Sequence, residues 1–141
     1  MTYANQPFEM AVNAPKEHQR IISKLNTGLG VLYYHQGKIN LEPLPETMID
    51  EGQTSPVPDV LLYDNENQQT RIIIAVAHAN GAGNDFKKII RLMDENDYGV
   101  EEGFVYNYSK NTWMKYKKGQ GQDTSRPSWS DLLHLDLATL L

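Results

Sequence analysis

The chain contains no cysteine. That excludes disulfides and thiolate metal sites, and it fits a reducing compartment. No apolar run approaches the roughly 18 residues needed to span a bilayer. The opening Met-Thr-Tyr-Ala-Asn-Gln has neither a basic stretch nor an apolar one. No signal peptide is predicted, and the cytoplasm is the simplest expected location. Positive charge is also in short supply: 13 Lys and Arg stand against 18 Asp and Glu, a formal net charge of −5. This argues against binding driven by broad contact with a nucleic-acid backbone, while leaving room for a local basic cleft. There is no Ser/His/Asp arrangement and no His-x-x-x-His helix pair. Gly81 and Gly83 match neither the dinucleotide fingerprint nor the phosphate-loop spacing.

What is present points to one domain. At 141 residues with 40% apolar content, the chain can bury a core without staples. Residues 1–12 read as a loose lead-in. A helix opens at Ala14-Pro15-Lys16, carries Ile21, Ile22 and Leu25 as its apolar stripe, and is predicted to end at Gly28 and Gly30. Val31-Leu32-Tyr33-Tyr34-His35 reads as a strand, and residues 39–44 as a second strand or extended arm. The polar, proline-punctuated stretch 45–58 reads as a loop. Val60 to Tyr63 is a predicted strand, and Ile72 to Ala77 has the continuous apolar pattern of a strand buried on both faces. A helix over 85–95 follows, with Phe86, Ile89, Ile90 and Met93 facing the core. A hairpin of 103–108 and 112–117, a flexible stretch and a last short helix from Ser130 complete a mixed α/β order.

The chemistry is concentrated in the middle of the chain. Pro58-Asp59 opens one apolar strand, Arg71 to His78 forms the next, and Asp85, Lys87 and Lys88 lie on the following helix. Phosphodiester hydrolysis calls for carboxylates that hold a hard divalent ion and a cation near the scissile phosphate. This order, with Glu17 on the first helix, resembles the large group of uncharacterised restriction endonucleases in the PD-(D/E)XK nuclease superfamily, from about Glu17 to Tyr116. The resemblance implies a restriction-endonuclease-like α/β fold, a mixed β-sheet flanked by helices. It also implies Mg²⁺-assisted cleavage of DNA and, for this fold class, a homodimer. By position it makes Asp59 the main metal ligand, Glu17 a supporting acid and second metal ligand, and Lys88 the cation at the phosphate. Asp85, His78 and Lys87 are possible supporting groups. Where the family carries a glutamate on the second strand, this chain has Ala75, which ligates nothing. Two expectations follow: a Mg²⁺-dependent DNA endonuclease impaired at Ala75, or an inactive nuclease-fold module that binds nucleic acid or a protein partner.

Each residue also has a plainer role open to it. Asp59 suits a strand start after Pro58, Glu17 suits a first helical turn, and Asp85 suits a helix start. Lys87, Lys88 and Arg91 suit a solvated helix face, and His78 the edge of a core. The hairpin that mixes Lys110, Lys115, Lys117 and Lys118 with Trp113 and Tyr116 suits either nucleic-acid contact or a lysine-protected edge strand.

Overall fold

A computed structural model describes residues 15–50 and 55–141. The expected lead-in over 1–12 lies outside the described residues, as does part of the expected loop. Helix α1 runs Lys16–Gly30 behind Pro15, and helix α2 runs Gly81–Glu95. The strands are β1 Glu42–Pro45, β2 Val60–Asp64, β3 Gln69–Ala77, β4 Glu102–Asn107, β5 Thr112–Lys117 and β6 Gly121–Asp123. They form one six-stranded sheet in that order, antiparallel at every step except the parallel β3–β4 pair. The parallel step requires a crossover, which α2 provides. A small pair, β7 Trp129–Ser130 and β8 Leu135–Asp136, precedes a 3₁₀ turn over Leu137–Leu140.

The period-2 alternation of β3 sorts the core into two layers. Ile72, Ile74 and Val76 face α1 and pack with Ile21, Ile22, Leu25 and Leu29. Ile73 and Ala77 face α2 and pack with Phe86, Ile89 and Met93. The α2 layer lies close because Gly103 has no side chain. A Cβ there would stand 2.4 Å from Ile89 Cγ2 and 2.8 Å from Met93 Sδ.

Three expected elements differ. The α-helical part of α1 ends at Gly30, but the chain does not leave the helix there: Val31–His35 continues it as a π-helical turn instead of forming a strand. The β-branched and aromatic residues there favour a strand locally, but Leu32 and Tyr33 gain burial against the α1-side core by staying helical. The final helix from Ser130 is replaced by β7, β8 and the 3₁₀ turn, which place Leu133 and Leu137 in the same core. The β4–β5 hairpin is not an edge, because β6 covers it.

Three of that hairpin's lysines, Lys115, Lys117 and Lys118, turn their side chains to partners within the molecule. Lys115 is fully buried; its Nζ donates to Trp129 O at 2.7 Å and Asp131 Oδ2 at 3.0 Å, and lies 3.8 Å from Glu102 Oε2. Glu102, equally buried, accepts from Ser130 Oγ at 2.6 Å and Asp131 N–H at 2.7 Å. Lys117, then Lys115, hold the Asp131 carboxyl down to about 2. Lys118 donates to Met93 O at 2.7 Å. These bonds pin the C-terminal segment over the sheet.

The outer border of the sheet is blunted. Glu46 N–H donates to Asp59 O at 3.0 Å, toward β2. Strand alternation then points the amides of Leu44 and Glu42 the same way, so the outward positions belong to Pro43 and Pro45, which have no N–H. At the other border, β6 has only three residues.

Replacing Lys115 with Ala leaves the buried Glu102 carboxylate without its cation and Trp129 O without its donor, and is expected to cost roughly 3–5 kcal/mol in urea denaturation. The double change Lys115→Met with Glu102→Gln should recover part of that loss, because no uncompensated charge is left buried, the amide oxygen still accepts from Asp131 N–H and the amide NH2 donates to Ser130 Oγ.

Candidate functional site

The ladder between β2 and β3 sets up the site. Their register pairs Val60 with Ile74. One step further sets Asp59 opposite Ala75, and the next inward rung would join Pro58 to Val76. Pro58 has no N–H to donate, so that rung is built from side chains. The Asp59 carboxylate accepts from Val76 N–H at 2.7 Å, and His18 Nε2 donates to Val76 O at 2.9 Å. The donating Nε2 lies 3.6 Å from Asp59 Oδ2, and His18 Nδ1 is buried without a partner among the described residues. A proline-terminated ladder is thus completed from β2 and α1 together.

Around this point lies a cleft of about 610 Å³ between α2 and the residues before β2. Asp59, Ala75, Asp85, Lys88, Arg91 and His18 all line it. Asp85, Lys88 and Arg91 share one side of α2 through three-residue spacing. Burial pushes the Asp59 carboxyl above its ordinary range; the Val76 N–H and then His18 oppose this, while Asp85 and Glu46 add to it. Burial likewise raises Asp85, against the pull of Lys88 and His18. A larger cleft of about 910 Å³, beside Tyr33, Tyr34 and Arg71, contains none of the residues singled out from sequence.

Of those residues, Asp59, Asp85 and Lys88 are brought to the cleft and Glu17, His78 and Lys87 are not. Glu17 pairs on the surface with Arg20 at 2.7 Å. Its neighbour His18 is rotated about 100° around the helix, which puts it on the stripe of Ile21, Ile22 and Leu25 that faces the sheet. His18 is therefore the α1 residue that reaches Asp59, and continuity with the apolar stripe was the signal that could have found it. His78 is exposed and lies against Tyr108, with ring centroids 5.2 Å apart. Lys87 is exposed on α2 away from the cleft.

The donor set does not fit a resident Mg²⁺ ion. Ala75 supplies no side-chain oxygen where the second strand faces Asp59, and one Asp59 oxygen is bound to the Val76 amide. Among the described residues, no group of three His, Asp or Glu side chains stands close enough to hold a metal. Mg²⁺ demands near-octahedral oxygen ligation, and one free Asp59 oxygen with Asp85 elsewhere on the cleft wall is a poor start.

No protein-family model matches the chain. No curated protein matches it either. Among solved structures, its fold is similar to that of "a putative nuclease belonging to DUF820" from Anabaena variabilis, with a TM-score of 0.65 and 16% identity. The match covers 89% of this chain and 80% of that one. At this identity the likeness is one of fold. The six-stranded mixed sheet flanked by two helices is a nuclease-like architecture.

The side-chain rung predicts how substitutions at Asp59 behave. Asp59→Ala leaves the Val76 amide unpaired and should cost about 1–3 kcal/mol, whereas Asp59→Asn keeps an acceptor and should cost less. The pH dependence follows from the raised carboxyl. Stability from its protonated form is complete below the ordinary value of 3.8 and is lost as pH rises through the higher folded value. Denaturation curves should therefore show wild type losing ground to Asp59→Asn as pH rises above 3.8 and through the raised folded value. A difference that stays flat over this range would refute the assignment.

Proposed function

We propose that this chain is a nuclease-fold binding module of the PD-(D/E)XK type in which Mg²⁺-dependent DNA cleavage has been lost. The observation that carries this reading is Ala75 opposite an Asp59 whose carboxylate completes the β3 ladder. The nuclease-like fold supports the ancestry, and the loss of a strand carboxylate supports the loss of cleavage. When bound in a nuclease of this type, Mg²⁺ polarises the phosphate and activates the attacking water. Here Asp59 ties β2 to β3, His18 holds the same rung from α1, and Lys88 and Arg91 place two cations on the cleft rim.

A nucleic-acid strand approaching the cleft meets those two cations first. With a chain charge of −5, binding should be weak and local. Two phosphate contacts predict a slope of log K against log salt of about −1.4 for single strands. Fluorescence anisotropy with a labelled oligonucleotide should give that slope, and Lys88→Ala with Arg91→Ala should flatten it toward zero.

The decisive assay is plasmid cleavage with Mg²⁺ or Mn²⁺, comparing wild type, Asp59→Asn and Asp85→Asn. Equal background nicking by all three is expected. Cleavage by wild type that disappears in both variants would establish Asp85 as a replacement for the missing strand acid and overturn the reading.

A further inference from the structure

The dismantled acid site leaves a cleft with an unusual chemical balance. Its wall and floor are apolar: Val57, Pro58, Ile73, Ala75, Ile89 and Leu92. Ile73 and Ile89 belong to the buried core, so this surface is rigid. The volume of about 610 Å³ falls within the range of small-molecule sites. The charged groups on its α2 side answer one another: Lys88 acts on Asp85, and Arg91 Nε lies 3.9 Å from Glu95. Asp59 has no Lys or Arg beside it among the described residues; the side chain that favours its charge is His18, 3.6 Å from Oδ2. His18 directs its Nε2 hydrogen at Val76 O, and no hydrogen bond reaches Asp59 Oδ1 among the described residues. The cleft therefore joins an apolar surface to one carboxylate oxygen in need of a donor.

We propose that this cleft binds a small organic cation, an amidinium or ammonium group on a flat apolar body, with the cation at Asp59 and the body over Ala75. The proposal rests on the reading that the metal centre is gone. It then names what the remaining carboxylate selects. A divalent ion needs several oxygens at once, and the cleft lacks them. A delocalised organic cation is weakly hydrated, needs only one carboxylate edge, and gains from the apolar wall. The alanine methyl that ends metal ligation is, for such a ligand, a contact surface.

Benzamidine is the probe, with benzoate and benzyl alcohol as controls of similar size. The full chain should show a saturable rise in Tm with benzamidine and no comparable rise with either control. Asp59→Asn keeps the Val76 acceptor and should weaken benzamidine binding at least tenfold in calorimetry while retaining a cooperative transition. Ala75→Leu fills the floor and should abolish binding with Asp59 intact. Benzyl alcohol or benzoate matching benzamidine, or unchanged affinity in Asp59→Asn, would overturn the proposal. An uncleaved plasmid together with indifference to benzamidine would remove this inference alone. Metal-dependent cleavage that requires Asp59 would remove the reading beneath it.

Discussion

The arrangement around Asp59 depends on how the β2–β3 ladder gets past Pro58. A proline at a ladder position withdraws one donor, and the strand beyond it would expose an amide and a carbonyl to an apolar interior. His18 supplies the donor and Asp59 the acceptor, so both backbone groups of Val76 are paired by side chains. Three elements meet at that residue: β2 through Asp59, α1 through His18, and β3 itself. The carboxylate is held rigidly where the two strands part, at the base of the cleft. The same bond uses one of its two oxygens.

Ala75 has a physical rationale within this setting. Asp85 already disfavours the ionisation of Asp59, and both are partly removed from water. A third carboxylate opposite Asp59 would add repulsion that only a bound cation could offset. On the function proposed above, in which no metal-dependent reaction is sustained, alanine at this position spares the sheet that repulsion. The core does not need an acid there, since the packing of β3 on α2 rests on Ile73, Ala77 and their partners. Activity and stability pull in opposite directions at such sites.

Much of the scaffold was legible because it is periodic. The continuous apolar run of β3 and the stripe of Phe86, Ile89 and Met93 on α2 each fix a face without reference to the rest of the chain. Pro58-Asp59 was legible as a strand-edge acid. What stayed hidden depends on distant partners. Val31–His35 has strand-like residues but remains helical because its side chains find the α1-side core. Lys115 reads as a surface cation until Glu102 and Asp131 are brought to it from 13 residues before and 16 after. Glu17 and His18 are neighbours in sequence, and only the rotation of the helix relative to the sheet decides between them.

The two prolines of β1 have a bearing on self-association. A row of free amides along a sheet border acts as a template on which another chain can lay a strand. Pro43 and Pro45 remove that row on one side, and the three residues of β6 leave little of it on the other. Two copies of this protein therefore have poor means of fusing their sheets into one continuous surface. Among the described residues, that leaves pairing to the helical faces and the loops that rim the clefts, where side-chain chemistry rather than backbone geometry chooses the partner.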